Sequence, residues 1–165
     1  MTYRVVTRLA PGDRGTDQIL QAMGVFARQA AASSPYGEKL WWNEEPARRI
    51  DMLRAFLARK VRYEDDPPGM ELVRHPMAML DDIGRQGFAC GDCDDVATLA
   101  AALALAMGLR ARFRVVAFDA DGNYSHVWTE VHAGRGEAGW RELDTTRPQA
   151  LPPGLRVMRS ATLEV

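Results

Sequence analysis

In the stretch GFACGDCDDVATLAAALALAMG, residues 87–108, Cys93 follows a Gly-Asp turn and precedes a long run of alanine and leucine. A residue so placed falls on the first turn of a helix. There the unpaired backbone N–H groups and the helix dipole favour an anion, and a thiol pKa drops below its ordinary value of about 8.5. The same amides can hold an oxyanion. Asp92, Asp94 and Asp95 work in the opposite direction, because neighbouring carboxylates disfavour a further negative charge. Taken alone, Cys93 reads as a small buried hydrophobe and the aspartates as helix caps. A working thiol needs something cationic to answer them.

His126 in SHVWTEVH and Asp144 in GWRELDTT can supply it. If Val131 pairs with Arg141 across the intervening loop, Trp128 faces Asp144 and His126 faces Thr146. His126 and Asp144 then become diagonal neighbours on one face of a hairpin, about 7–8 Å apart by backbone. A one-residue slip would send them to opposite faces. An aspartate behind a histidine fixes its tautomer and stabilises the imidazolium, and a histidine beside a thiol takes its proton.

With these residues in hand, GDCDDVATLAAALALAMGLRARF, SHVWTEV and WRELDTT resemble the three signature segments of the transglutaminase-like superfamily. The upstream VRYEDDPPGMELVRHPMAML is similar to the lead-in of its small bacterial and phage-encoded members, and the resemblance covers roughly residues 50 to 150. It implies a papain-like α+β core with Cys93 as nucleophile, His126 as general base and acid, and Asp144 as the orienting residue. It also implies that an upstream side chain joins Cys93 at the oxyanion hole, for which Gln86 is the nearest candidate. A related group of calcium-dependent bacterial cysteine proteases carries acidic residues around its cysteine, as Asp92, Asp94 and Asp95 lie around Cys93 here. A hard cation on oxygen ligands is the ligand set this would imply, with no cofactor otherwise required.

Other chemistries compete for the same residues. CGDC at a helix start is also the C-x-x-C of thioredoxin-like redox proteins, although PMAMLDDIGRQGFA before it does not read as a buried strand. Cys90, Cys93, His126 and His132 could be drawn as a zinc site, but their separation is unlike compact zinc spacings. A catalytically silent structural or binding module of the same fold, for instance a phage particle component, is the alternative to an enzyme, since a fold does not fix a function.

The elements that must position these residues follow from periodicity. YRVVTRLA alternates as a strand, with a turn over Pro11 to Gly15; TDQILQAMGVFARQAAASS is a helix capped at Thr16 or Asp17; a loop holds Pro35 and Gly37. PARRIDMLRAFLARKVRYE gives a second helical face that includes Val61, DDPPGMELVRHP a rigid connection, and PMAMLDDIGRQG a short helix ending near Gly84 or Gly87. Beyond Gly108 the period shifts to two in RARFRVVAFD, SHVWTEVHA and GWRELD, and LPPGLRVMRSATLEV adds a last strand. Helices first and an antiparallel sheet after is an α+β order.

Length and composition set the outer bounds. A chain of 165 residues is most economically one domain, here a core at about 50–150 with an N-terminal strand and helix within 1–45. Lys and Arg number 21 against 22 Asp and Glu, so no basic field advertises nucleic acid. The start MTYRVVTRLAPGDRG lacks the apolar stretch of a signal peptide and no run is long enough to span a bilayer, which points to a cytoplasmic or virion-associated chain without a membrane partner. A peptide or protein amide is the expected substrate.

Overall fold

A computed structural model of the chain describes residues 4–7, 13–33, 44–68, 70–120, 122–134, 136–146 and 154–165. At its centre lies helix α4 (Cys93–Ala106), whose residues are nearly all buried, including Val96, Ala97, Leu99, Ala100 and Ala101. A helix apolar on every side has to be enclosed on every side, and three helices and a sheet enclose this one. Helix α1 (Asp13–Ser33) presents Leu20, Met23, Ala27 and Ala30 at helical spacing, all buried. Helix α2 (Pro46–Lys60) buries Ile50, Leu53 and Leu57 after a proline at its first turn. Helix α3 (Pro76–Gln86) ends at Gly87, whose φ of 89° is the left-handed conformation that closes a helix.

The fourth wall is an antiparallel sheet of order β7-β6-β5-β8, built from β5 (Ala111–Ala117), β6 (His126–His132), β7 (Trp140–Leu143) and β8 (Arg159–Glu164). Central β6 is buried along its whole length, and Thr129 Oγ1 donates to the Ala97 carbonyl of α4 at 2.6 Å, tying strand to helix. The fold is therefore the α+β arrangement expected, with N-terminal helices and a Cys-bearing helix packed on an antiparallel sheet. Val131 pairs with Arg141, the register on which the placement of His126 and Asp144 depended.

Two short sheets were less legible. β1 (Arg4–Thr7) pairs antiparallel with β3 (Glu71–Arg74), so part of the expected rigid connection is a strand. β2 (Val61–Tyr63) pairs in parallel with β4 (Ala89–Gly91), which moves Val61 from the second helix into a strand. Three- and four-residue strands carry too little alternation to stand out from a loop. Helix α1 starts at Asp13, so Asp13 to Gly15 are helical and Thr16 and Asp17 do not cap it. Pro11, Gly12, Pro35 and Gly37 lie outside the described residues. No helix among the described residues is long and apolar enough to cross a membrane.

Candidate active site

Strand β4 delivers the chain to α4, and Cys93 is the first residue of that helix. It keeps some solvent-accessible surface. Around the sulfur, burial acts first and the charges of Asp94, Asp92 and Glu71 act with it to push the thiol well above its ordinary value; a hydrogen bond from the Val127 backbone N–H opposes them. Without a counter-charge the thiol is held protonated.

His126 opens β6 and Asp144 lies one residue past β7. Their side chains meet: His126 Nε2 lies 2.8 Å from Asp144 Oδ2, and each side chain is 1% exposed. Because an ionised carboxylate only accepts, the ring donates from Nε2 and Nδ1 is left to receive a proton. The carboxylate is itself held, its Oδ1 accepting from Thr146 N at 2.9 Å and Thr146 Oγ1 at 3.0 Å. Trp128, two residues along the same strand face, sets its ring 5.7 Å from the imidazole. Cys93 and His126 border one cleft of about 190 Å³, together with Asp94, Glu71 and residues of α1.

The three aspartates do not behave as caps. Asp92 occupies the N-cap position but its side chain makes no capping bond. One oxygen from each of Asp92, Asp94 and Asp95 lies within 4.8 Å of the others. Asp92 Oδ1 and both carboxyl oxygens of Asp94 are buried without a hydrogen-bond partner, and burial, with Asp92 and Asp95 adding, pushes Asp94 well above the usual carboxylate range. Asp95 accepts from Arg74 N at 2.6 Å and is pushed up to about 8, chiefly by burial. Gly91 is what lets it fit: a Cβ there would stand 2.7 Å from the Asp95 side chain.

The sequence profile of the transglutaminase-like superfamily matches residues 36–145. The chain belongs to the transglutaminase-like superfamily. Among solved structures it is similar to a proposed cysteine protease from Cytophaga hutchinsonii, at 18% identity and a TM-score of 0.42, covering 95% of this chain and 45% of that one. It thus spans less than half the length of that protein. No curated protein sequence matches.

Within this transglutaminase-like chain several expected residues take other places. Gln86 is exposed at the end of α3, where its Nε2 donates to the Phe88 carbonyl at 3.1 Å, and it does not line the cleft of Cys93. As the sequence reading expected, PMAMLDDIGRQGFA is no buried strand: Pro76–Gln86 is helix α3, and the three-residue β4 runs into CGDC itself. Cys90 borders a different cavity from Cys93 and its thiol is paired with Glu64, which raises it. The zinc set is likewise dispersed: His132 Nε2 lies 2.7 Å from the Gly136 carbonyl, and among the described residues only the three aspartates form a metal-sized cluster.

Other residues went unread. Glu71, in the supposed connection, is turned toward the thiol cleft. Tyr63 donates to Asp65 at 2.6 Å and is pushed up by burial first and then by Asp65, with smaller effects from Cys93 and Asp92. Thr146 braces Asp144. The repeated Thr in LDTT was the available signal, since a hydroxyl two residues after an aspartate can close such a turn.

Proposed function

We propose that this transglutaminase-like chain catalyses thiol acyl transfer on an amide, as a protease or amidase. What carries the reading is the enclosed 2.8 Å bond of His126 Nε2 to Asp144, on a histidine that borders the same cleft as Cys93. His126 Nδ1 takes the thiol proton; the sulfur attacks the amide carbonyl carbon, and the carbonyl electron pair moves onto oxygen. Backbone N–H groups at the start of α4 are the donors for that oxyanion, without Gln86. When the intermediate collapses, the C–N bond breaks and the imidazolium protonates the departing amine. Water, deprotonated by His126, then attacks the thioester carbonyl; the C–S bond breaks, the acid leaves and the imidazolium returns its proton to the Cys93 sulfur. Hydrolysis is favoured over transfer to an amine because water needs no second binding site.

Asp92, Asp94 and Asp95 fit a hard cation, and calcium is the ion their oxygen-only set suits. The orphaned oxygens of Asp92 and Asp94 support this assignment. Bound there, the ion would supply positive charge beside the thiol. A catalytically silent module of the same fold is the second reading, favoured by the burial and carboxylates that hold Cys93 protonated.

The test is the rate of Cys93 alkylation by iodoacetamide against pH, in a Cys90→Ser background, with and without His126→Ala and calcium. An inflection well below the free-thiol value of about 8.5 that disappears in His126→Ala supports the enzyme. A plain thiol titration indifferent to His126 leaves the silent module. An inflection that requires calcium supports the aspartates as ligands.

A further inference from the structure

The cleft at Cys93 is not built by the family region alone. Its walls include Thr16, Ile19, Leu20 and Met23 of α1, and α1 ends at Ser33, before the matched span begins at residue 36. Residues spaced three and four apart form one stripe of a helix, so a single face of α1 borders the space into which the thiol opens. Leu20 and Met23 are buried, Leu20 at 8% and Met23 at 0% exposure, while Ile19 is partly buried. Val115 of β5 extends the apolar surface. The acidic and basic side chains bordering the cleft among the described residues are Glu71, Asp94 and His126, with no lysine or arginine. In the calcium-free protein an anionic substrate group would meet two carboxyls there and no lysine or arginine to pair with.

We propose that α1 forms the side-chain subsite of the enzyme. The substrate presents to Cys93 a carbonyl whose own residue carries a leucine-sized aliphatic side chain, seated on the partly buried Ile19 and the edge of Leu20, with Met23 fully buried behind them. This rests on the acyl-transfer assignment of Cys93. A cleft of about 190 Å³ accommodates such a group beside the reacting carbonyl, and its burial against an apolar wall favours it over glycine. Specificity in this chain is then set by an element outside the family region, while the chemistry is set within it.

Peptidyl chloromethyl ketones of the form acetyl-Ala-Ala-X test the assignment, because the Cys93 sulfur forms a carbon bond as chloride leaves and intact mass reads the rate. With Cys90→Ser as background and X as Leu, Ala, Gly, Lys or Glu, the leucine probe is expected to label about tenfold or more faster than the glycine probe. The glutamate probe should be slowest. Ile19→Trp, which fills the subsite from a partly buried position, should abolish the leucine preference, read as the ratio of the leucine to the glycine labelling rate; thermal unfolding confirms that the variant is folded. Labelling that depends on His126 but is indifferent to X, or an Ile19→Trp variant with unchanged preference, overturns the subsite and leaves the acyl-transfer reading standing. A lysine probe that outruns leucine overturns it too, in favour of Glu71 and Asp94 as the recognising groups. Labelling that His126→Ala does not slow removes the acyl-transfer reading, and this inference with it.

Discussion

At the scale of single residues, the orienting carboxylate is the most sharply defined part of the site. Asp144 accepts from His126 on one oxygen and from Thr146 on the other. Asp144→Asn keeps the shape but offers an amide where Nε2–H needs an acceptor, so His126 is expected to adopt the wrong tautomer. In an active preparation kcat should fall by on the order of 10³–10⁴, with little change in thermal stability. Thr146→Val removes one donor and leaves the backbone N–H, for a loss of about tenfold, read as kcat against KM. Gly91→Ala is the converse case, in which folding suffers. Its Cβ would sit 2.7 Å from the Asp95 side chain, and denaturant unfolding should show about 1–3 kcal/mol of lost stability.

At the scale of elements, the distance between thiol and imidazole is governed by how α4 sits on β6. Thr129 Oγ1 bridges them at the Ala97 carbonyl, fully buried. Thr129→Val removes that tie at nearly constant volume, and about 1 kcal/mol of stability is the expected cost in urea unfolding. Much of this layer could be read from the chain. The period of two in RARFRVVAFD and SHVWTEVHA marked the strands, while the register stayed conditional on Val131 pairing with Arg141, because β6 is buried on both faces and a slip would not have shown as an exposed apolar row. The all-apolar run after Cys93 likewise demanded a central helix. What could not be read were the roles that share residue types. An aspartate at a helix start caps or ligates with the same atoms, and only burial without partners separates the two. The α1 stripe read as core and is core at Leu20 and Met23; that the partly buried Ile19 also borders the cleft of Cys93 is what periodicity could not show.

At the scale of the whole molecule, the carboxyl cluster makes folding depend on pH. Asp95 is raised from 3.8 to about 8 and Asp94 is raised too, so between those values the folded chain holds protons that the unfolded chain releases. The cluster's contribution to stability is therefore full below about pH 4 and is lost as pH rises, the part from Asp95 by about pH 8. Urea midpoints taken across that range should decline toward alkaline pH. Asp95→Asn should flatten the decline, and calcium should shrink it if the ion replaces the protons.

The β6–β7 ladder has its last backbone pair at Thr129 and Leu143. His126 and Asp144 lie beyond it, so their 2.8 Å contact acts as one further rung made of side chains, at the end where the hairpin would begin to unzip. The hairpin's outermost rung is thus also its functional one. Rising urea should therefore extinguish thiol reactivity before the far-ultraviolet signal of the sheet declines, and hydrogen exchange should find Thr145 and Thr146 opening ahead of Val131. Inactivation would precede unfolding, and dilution of the denaturant would restore the site without the chain having to refold.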